Sequence, residues 1–125
     1  MNDKYLFLDD IRFPSDCFKY SKQPMFIEKD WIIVRSYNEF VDWITKNGLP
    51  DFISFDHDLS DITVLSEIND QPGWIYKEKT GYDCSLWLID YCIDNDLKCP
   101  NFYSHSMNPI GKEKINSLLS NFSKY

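Results

Sequence analysis

The sequence has no excess of basic residues and no long apolar run, and both absences exclude classes of function. Thirteen Lys and Arg residues stand against twenty Asp and Glu residues, which gives a net charge of -7 and a pI near 4.6. Proteins that bind duplex DNA neutralise many phosphates with clustered basic side chains, so this composition disfavours a duplex-binding face. No apolar stretch approaches the length that spans a bilayer. A small, locally charged ligand is still compatible with the composition.

The four cysteines lack the paired spacing of a zinc site, and nothing at the N-terminus has the pattern of a signal peptide. We therefore expect reduced thiols in a cytoplasmic protein. The sequence shows no repeat, low-complexity tract or interdomain linker. With 43% hydrophobic residues, we expect residues 1–125 to form a single domain around its own core.

Short apolar runs alternate with helical patterns, which is typical of βα units and a parallel sheet. We predict strands at residues 4–8, 31–35, 52–55 and 102–104, and helices at residues 37–47, at residues 82–95 and from Pro109 onward. Residues 12–29 are predicted to be an insertion or long loop, and residues 61–80 a lid-like loop. The remaining length leaves no room for a fifth strand. The expected fold is a shortened flavodoxin-like α/β fold, with helices on both faces of a four-stranded parallel sheet.

Only two histidines occur, and each follows the end of a predicted strand: His57 in Phe-Asp-His-Asp and His105 in Ser-His-Ser-Met-Asn-Pro. Asp9 and Asp10 follow the first strand in the same way. Ligands of open parallel sheets bind outside the carboxyl ends of the strands. We therefore predict that these carboxylates and imidazoles face one pocket.

Four sequence motifs, taken in their order along the chain, resemble those of the receiver-like domain family that is predicted to process cyclic phosphates. They are Leu-Phe-Leu-Asp-Asp-Ile-Arg at 6–12, Phe-Asp-His-Asp-Leu at 55–59, Thr-Gly-Tyr-Asp at 80–83 with Trp87 and Leu88, and Ser-His-Ser-Met-Asn-Pro-Ile-Gly at 104–111. The resemblance spans nearly the whole chain. It implies a receiver-like fold, an acidic pocket with added histidines, and a role in RNA repair or in nucleotide-based conflict systems.

The resemblance also allows a comparison with ordinary two-component receivers. Asp9 and Asp10 match the metal-binding acidic pair of a receiver, Asp56 matches its phosphoacceptor, and Ser104 roughly matches its hydroxyl residue. The receiver's lysine follows a fifth strand, which is not predicted in this sequence. This departure disfavours phosphoryl signalling through Asp56, although a pocket able to hold Mg²⁺ does not require the lysine.

The predicted chemistry follows from these residue types. Mg²⁺ prefers oxygen ligands, and Asp9, Asp10 and Asp56 would supply them. Opening a cyclic phosphate needs a base, an acid and positive charge near the phosphoryl oxygens. We predict His57 and His105 as acid and base, with Asp56 beside them in the catalytic site and Asp58 orienting an imidazole. In an alternative without metal, the carboxylates orient the histidines.

Further residues are candidates for phosphate binding, and each has a structural alternative. Arg12 either clamps phosphate or pairs with Asp10. Lys112 is a weaker candidate for the positive charge that contacts the phosphoryl oxygens. Thr80 and Gly81 begin a helix, where exposed amides can bind phosphate or the two residues simply ease the turn. Ser104, Ser106 and Asn108 are either ligands or helix caps. Two aromatic residues of the predicted lid, Trp74 and Tyr76, either stack on a base or anchor the loop.

We therefore interpret the sequence as a metal-assisted phosphoesterase that acts on a cyclic phosphate, either an RNA 2′,3′-cyclic phosphate end or a cyclic nucleotide. Two alternatives stay open. One is a nucleotide-binding protein that sequesters its ligand in a defence or counter-defence system. The other is a receiver-like interaction module. Neither duplex DNA nor a membrane is an expected partner.

Overall fold

The computed structural model describes residues 3–56 and 80–122 of the chain. Within these ranges, four strands alternate with five helices. The strands are β1 (Tyr5–Leu8), β2 (Trp31–Val34), β3 (Phe52–Phe55) and β4 (Asn101–Ser104). The helices are α1 (Pro14–Ser21), α2 (Met25–Glu28), α3 (Tyr37–Asn47), α4 (Gly81–Asp94) and α5 (Pro109–Phe122). None of these helices is long and apolar enough to cross a membrane.

The strands form one parallel sheet in the order β2-β1-β3-β4. Phe7 of β1 is in register with Ile33 on one side and with Ser54 on the other. The strand order reverses between β1 and β3, because β2 adds to one side of β1 and the later strands add to its other side. Such a switch point leaves a crevice at the carboxyl ends of the two central strands. The fold therefore places the ends of β1 and β3 where a ligand site is expected.

Side chains alternate between the two faces of the sheet, and both faces are covered. Leu6, Leu8 and Phe55 belong to the larger buried cluster, together with residues of α3, α4 and α5. Phe7 lies in a second cluster with Cys17 of α1 and Phe26 of α2. The layers are therefore helix, sheet and helix, which confirms the predicted four-stranded α/β fold.

The prediction of a loop or insertion at residues 12–29 was wrong, because this stretch contains α1 and α2. Pro14 occupies the first turn of α1, where proline is well tolerated, and the Asp16 carboxylate accepts a hydrogen bond from the Phe13 amide at 2.8 Å. Burial of Cys17 and Phe26 against the sheet stabilises both short helices. Few residues of α1 and α2 are buried and apolar, and they are widely spaced, so the sequence of this stretch shows only a weak helical period.

The other predicted elements agree with the structure to within one residue at most boundaries. The helix at residues 37–47 and the strand at residues 52–55 have the predicted bounds. The Ser36 side chain accepts from the Glu39 amide and so begins α3, and the chain leaves this helix at Gly48 with φ of 84°. The predicted lid-like loop lies outside the described residues, apart from Thr80.

Candidate functional site

Three residues of the candidate site continue the strand ladders by one step. The Asp9 amide donates to the Val34 carbonyl at 3.2 Å, the Asp56 amide donates to Leu8 at 2.9 Å, and the His105 amide donates to Phe55 at 2.9 Å. These hydrogen bonds fix the backbone directly beyond β1, β3 and β4. The structure thus brings Asp9, Asp56 and His105 to one edge of the sheet.

Asp9 is fully buried, and both of its carboxylate oxygens accept hydrogen bonds. Oδ1 accepts from the amides of Ile11 and Arg12 at 3.0 and 2.8 Å. Oδ2 lies 3.0 Å from Nε2 of His105 and 3.4 Å from Nη1 of Arg12. Burial by itself raises the pKa of Asp9, but the hydrogen bonds from His105, Arg12 and Ile11 outweigh it and lower the pKa to about 2. Asp9 is therefore ionised at neutral pH and also shapes the loop that follows β1.

His105 is also buried, with only 1% of its surface exposed. Its ring stacks on Phe7 with centroids 4.6 Å apart and planes 6° from parallel. Nδ1 lies 2.6 Å from the Ser54 hydroxyl, and Nε2 lies 3.0 Å from Oδ2 of Asp9. Burial lowers the pKa of His105 more than Asp9 raises it, so the imidazole is neutral at pH 7. The ionised Asp9 then fixes the proton on Nε2, and Ser54 donates to Nδ1.

Arg12 supplies positive charge beside two of the carboxylates. Its Nη1 is 3.4 Å from Oδ2 of Asp9 and 4.0 Å from Oδ1 of Asp56, and 29% of its side chain is exposed. Partial burial lowers the pKa of Arg12, but Asp9, followed by Tyr20 and Asp56, holds it above its ordinary value. The guanidinium is thus held by Asp9 and retains an exposed surface for a ligand.

Asp9, Asp10 and Asp56 form the acidic cluster that the sequence predicts. Each offers one carboxylate oxygen, and these three atoms lie within 4.8 Å of one another. Asp9 and Asp56 are buried, whereas Asp10 is half-buried. Three anionic oxygens at this separation suit a hard divalent cation, so the residues fit Mg²⁺.

A cleft of about 370 Å³ opens beside this cluster. Its described lining consists of Asp10, Ile11, Arg12, Asp56, Met107 and Asn108. His105 does not line it, because its ring lies beneath Asp9. A larger cavity of about 610 Å³ lies near the amino end of β4, lined by residues such as Leu97, Cys99 and Phe122. The carboxyl-end cleft is the candidate site, since it combines the carboxylates with Arg12.

Two residues at and after the end of β4 have different roles. The Ser104 hydroxyl has no partner among the described residues, and Asn108 caps α5. Ser104 is 1% exposed, and its hydroxyl has no hydrogen-bond partner among the described residues. Ser106 Oγ accepts from the Asn108 amide at 3.1 Å. Asn108 Oδ1 accepts from the amides of Ile110 and Gly111, both at 3.1 Å, and so caps α5 while its residue lines the cleft. Lys112 Nζ lies 5.7 Å from the Tyr103 ring centroid.

Thr80 and Gly81 begin α4, and the structure accounts for Thr80 as a helix cap. Thr80 Oγ1 accepts from the Asp83 amide at 3.3 Å, and the Asp83 carboxylate accepts from the Thr80 amide at 2.8 Å. This capping box satisfies two of the backbone amides that would otherwise be available to phosphate. Neither residue belongs to the described lining of the cleft.

We expect Thr80→Ala to lower the free energy of unfolding by about 1 kcal/mol, because it removes the N-cap of α4. Urea unfolding of both proteins measures this loss. Ligand or metal affinity at the carboxyl-end cleft should stay unchanged. A weakened affinity in the folded variant would instead favour phosphate binding at the start of α4.

Four predicted residues lie outside the part of the chain that the structure describes: His57, Asp58, Trp74 and Tyr76. The roles of His57 as acid or base and of Asp58 in orienting an imidazole therefore stay predictions. The same holds for the two aromatic residues.

Sequence reasoning missed several residues that support the site. Arg35 donates through Nη1 to the carbonyls of Asp9 and Arg12, at 3.1 and 2.6 Å, and so braces the loop after β1. Ser54 holds Nδ1 of His105. Features of the sequence could have indicated both residues. Arg35 follows β2 at the same edge of the sheet, and Ser54 interrupts an otherwise apolar strand. Cys17 and Tyr20 had no such feature, because they lie on the helix that the sequence did not predict.

Acid should expose the contribution of Asp9 to stability. Its pKa falls from 3.8 to about 2 on folding, so the folded state is stabilised fully above about pH 4 and loses this contribution as the pH falls through 2. The shift corresponds to about 2 kcal/mol. We expect this loss in urea unfolding between pH 5 and pH 2 in metal-free buffer, and a flatter profile for Asp9→Asn. If NMR showed the Asp9 carboxyl titrating near its ordinary pKa of 3.8, this predicted contribution to stability would be contradicted.

The parallel sheet lies between two layers of helices and carries an acidic cluster at the carboxyl ends of its strands. These features define a receiver-like α/β domain. A family model described as cyclic-phosphate processing receiver domain matches residues 4–121. The chain therefore belongs to the family of cyclic-phosphate processing receiver domains. A search of curated proteins found no match to the chain.

Proposed function

We propose that this protein is a divalent-metal-assisted phosphoesterase that hydrolyses a cyclic phosphate, either an RNA 2′,3′-cyclic phosphate end or a cyclic nucleotide. The observation that carries the proposal is the acidic cluster with a partly exposed guanidinium at the mouth of one cleft. Family membership supports the chemical class of the substrate.

The charges of the cleft suit a phosphodiester. Without a cation, three carboxylates within 4.8 Å of one another would repel a phosphate, and Arg12 offsets part of their charge. Asp9, Asp10 and Asp56 would hold Mg²⁺, which would supply Lewis-acid stabilisation of the phosphoryl oxygens and would help water to lose a proton. Arg12 lies 4.0 Å from Asp56 and binds a phosphoryl oxygen through its exposed surface.

Hydrolysis forms one phosphorus–oxygen bond to water and breaks one ring phosphorus–oxygen bond, leaving a phosphate monoester and a free hydroxyl. The attacking water gives up one proton to solvent, and the leaving oxygen must take up another. We assign the proton donation to the leaving oxygen to His57, which follows Asp56 directly in the sequence. We give His105 a positioning role, because both of its ring nitrogens already bond to Ser54 and Asp9.

We keep Ser104 as a candidate contact for the substrate or for a water beside it, although Ser104 is not part of the described lining of the cleft. Its hydroxyl is buried at the end of β4 and lacks a partner among the described residues, which is a costly state for a polar group. A phosphoryl oxygen or a bound water would satisfy it.

The proposal is tested by product analysis. The purified protein is incubated with 2′,3′-cyclic mononucleotides, RNA with a 2′,3′-cyclic phosphate end and cyclic dinucleotides, each with Mg²⁺ or EDTA. We expect one class to yield a monoester, and EDTA to abolish the turnover. Asp10→Asn should lower it and Asp30→Asn, at an exposed position before β2, should not.

Two results would overturn the phosphoesterase. Recovery of an intact, tightly bound nucleotide would establish the sequestering protein instead. Neither turnover nor binding across the panel would leave an interaction module. If turnover persists in EDTA, the metal-assisted mechanism is wrong, and the carboxylates act by positioning the histidines.

A further inference from the structure

A second group of potential metal ligands lies behind the acidic cluster, on the α1 side of the sheet. Asp9, Cys17 and His105 each offer one ligand atom, and these atoms lie within 4.8 Å of one another. All three residues are buried. They come from three separate elements: the end of β1, the middle of α1 and the end of β4.

The donor set differs in chemistry from the oxygen cluster. A thiolate and an imidazole are ligands of Zn²⁺ and related transition metals, whereas Mg²⁺ prefers oxygen alone. One divalent cation would balance the two negative charges of the Asp9 carboxylate and the Cys17 thiolate, with His105 neutral. The nearby charge of Arg12 is shared with Asp56, which lies 4.0 Å from it. Ligands that balance the charge of the cation reduce the cost of burying it. Three protein ligands also leave one tetrahedral position open.

Each donor is already held by an additional contact. Ser54 Oγ lies 2.6 Å from Nδ1 of His105, and ligating histidines commonly bond their other nitrogen in this way. Nε2 is then the metal-binding nitrogen, and a metal would replace its hydrogen bond to Asp9. Oδ1 of Asp9 is held by two backbone amides. The Tyr20 hydroxyl lies 3.2 Å from Sγ of Cys17 and donates to the His105 carbonyl at 2.8 Å. Such outer contacts fix the orientation of ligands before a metal binds.

We propose that Asp9, Cys17 and His105 form a second cation site, which takes Zn²⁺ or another transition metal of similar chemistry. Binding releases the thiol proton of Cys17 and shifts the ring proton of His105 from Nε2 to Nδ1, where it donates to Ser54. Asp9 belongs to both donor sets. Zinc in the buried site therefore weakens Mg²⁺ binding at the acidic cluster.

Cobalt titration of the reduced, metal-free protein tests the site, since Co²⁺ bound to a thiolate gives a charge-transfer absorption that oxygen ligands do not. We expect one equivalent of Co²⁺ to produce this absorption and Zn²⁺ to displace it. Cys17→Ala should abolish it and lower Zn²⁺ affinity at least tenfold, on the order expected for a lost ligand contact. Cys84→Ala, which removes a buried thiol from the other core cluster, should retain both.

Two further measurements keep the test independent of how well Cys17→Ala folds. X-ray absorption of the zinc-loaded wild-type protein should show one sulfur ligand at about 2.3 Å. Asp56→Asn should lose Mg²⁺ binding but retain the cobalt absorption, because Asp56 belongs only to the oxygen cluster. These measurements detect metal binding without a substrate, so they stand or fall separately from the proposed phosphoesterase.

Absence of the charge-transfer absorption in the wild-type protein would overturn the proposal, as would its persistence in Cys17→Ala. A zinc shell of oxygen and nitrogen alone would do the same. Cys17 would then be an ordinary buried thiol that fills the core beneath α1.

Discussion

Asp56→Asn should lower turnover of the cyclic phosphate at least about 100-fold, because a metal contributes several kcal/mol to stabilising the phosphoryl transition state. Asp56 is 4% exposed and supplies one of the three clustered oxygens. The amide keeps the shape of the side chain but not its charge. Calorimetric titration should show the accompanying loss of Mg²⁺ affinity.

Stability distinguishes a metal ligand from a structural carboxylate in this variant. Without metal, removing one of three neighbouring negative charges relieves repulsion, while the 4.0 Å pair with Arg12 is lost. These effects oppose each other, and Arg12 keeps its pair with Asp9, so Asp56→Asn should change the free energy of unfolding little in metal-free buffer. Mg²⁺ should raise the melting temperature of the wild-type protein but not that of Asp56→Asn.

Asp51→Asn is the matched control, since Asp51 precedes β3 at the opposite end of the strand. Its Oδ2 accepts from the Lys4 amide at 2.6 Å, at an exposed position. We expect this variant to retain Mg²⁺ binding and turnover. Equal losses in both variants would indicate a general effect of charge, and unchanged Mg²⁺ binding in Asp56→Asn would remove Asp56 from the metal site.

The strands and the acidic edge could be predicted because their signals are local. Each apolar run ends at a polar residue, and parallel pairing then brings those ends to one edge of the sheet. Asp9 and Asp56 meet because β1 and β3 are neighbours in the sheet. Which two strands lie at the centre of the sheet depends on the strand order. Local sequence patterns do not specify that order.

Sequence patterns could not predict whether a side chain at this edge points into the cleft or into the core. His105 and Asp56 both follow strands, yet His105 stacks on Phe7 while Asp56 lines the cleft. The difference depends on the layer that α1 and α2 form, with Phe26 and Cys17 packed against Phe7. Because those helices have a weak apolar period, the buried environment of His105 was not visible in the sequence.

His105→Ala should lower the free energy of unfolding by about 3 kcal/mol or more. The substitution leaves a cavity beside Phe7 and removes the partners of Ser54 and of the buried Asp9 carboxylate. Chemical unfolding in metal-free buffer measures this loss. His105→Gln is the conservative comparison, since its amide can donate to Asp9 and should recover part of the stability.

The same pair of variants separates a positioning role from acid or base catalysis. If His105 positions Asp9, the pKa of Asp9 rises from about 2 when the imidazole is removed, and Mg²⁺ affinity falls. His105→Gln should then restore much of both, together with turnover. A proton-transfer role predicts a different result: His105→Gln would bind Mg²⁺ normally but stay inactive, and one limb of the pH–rate profile would disappear. We expect the first result, because the His105 side chain is fully buried and lies 3.0 Å from the Asp9 carboxylate.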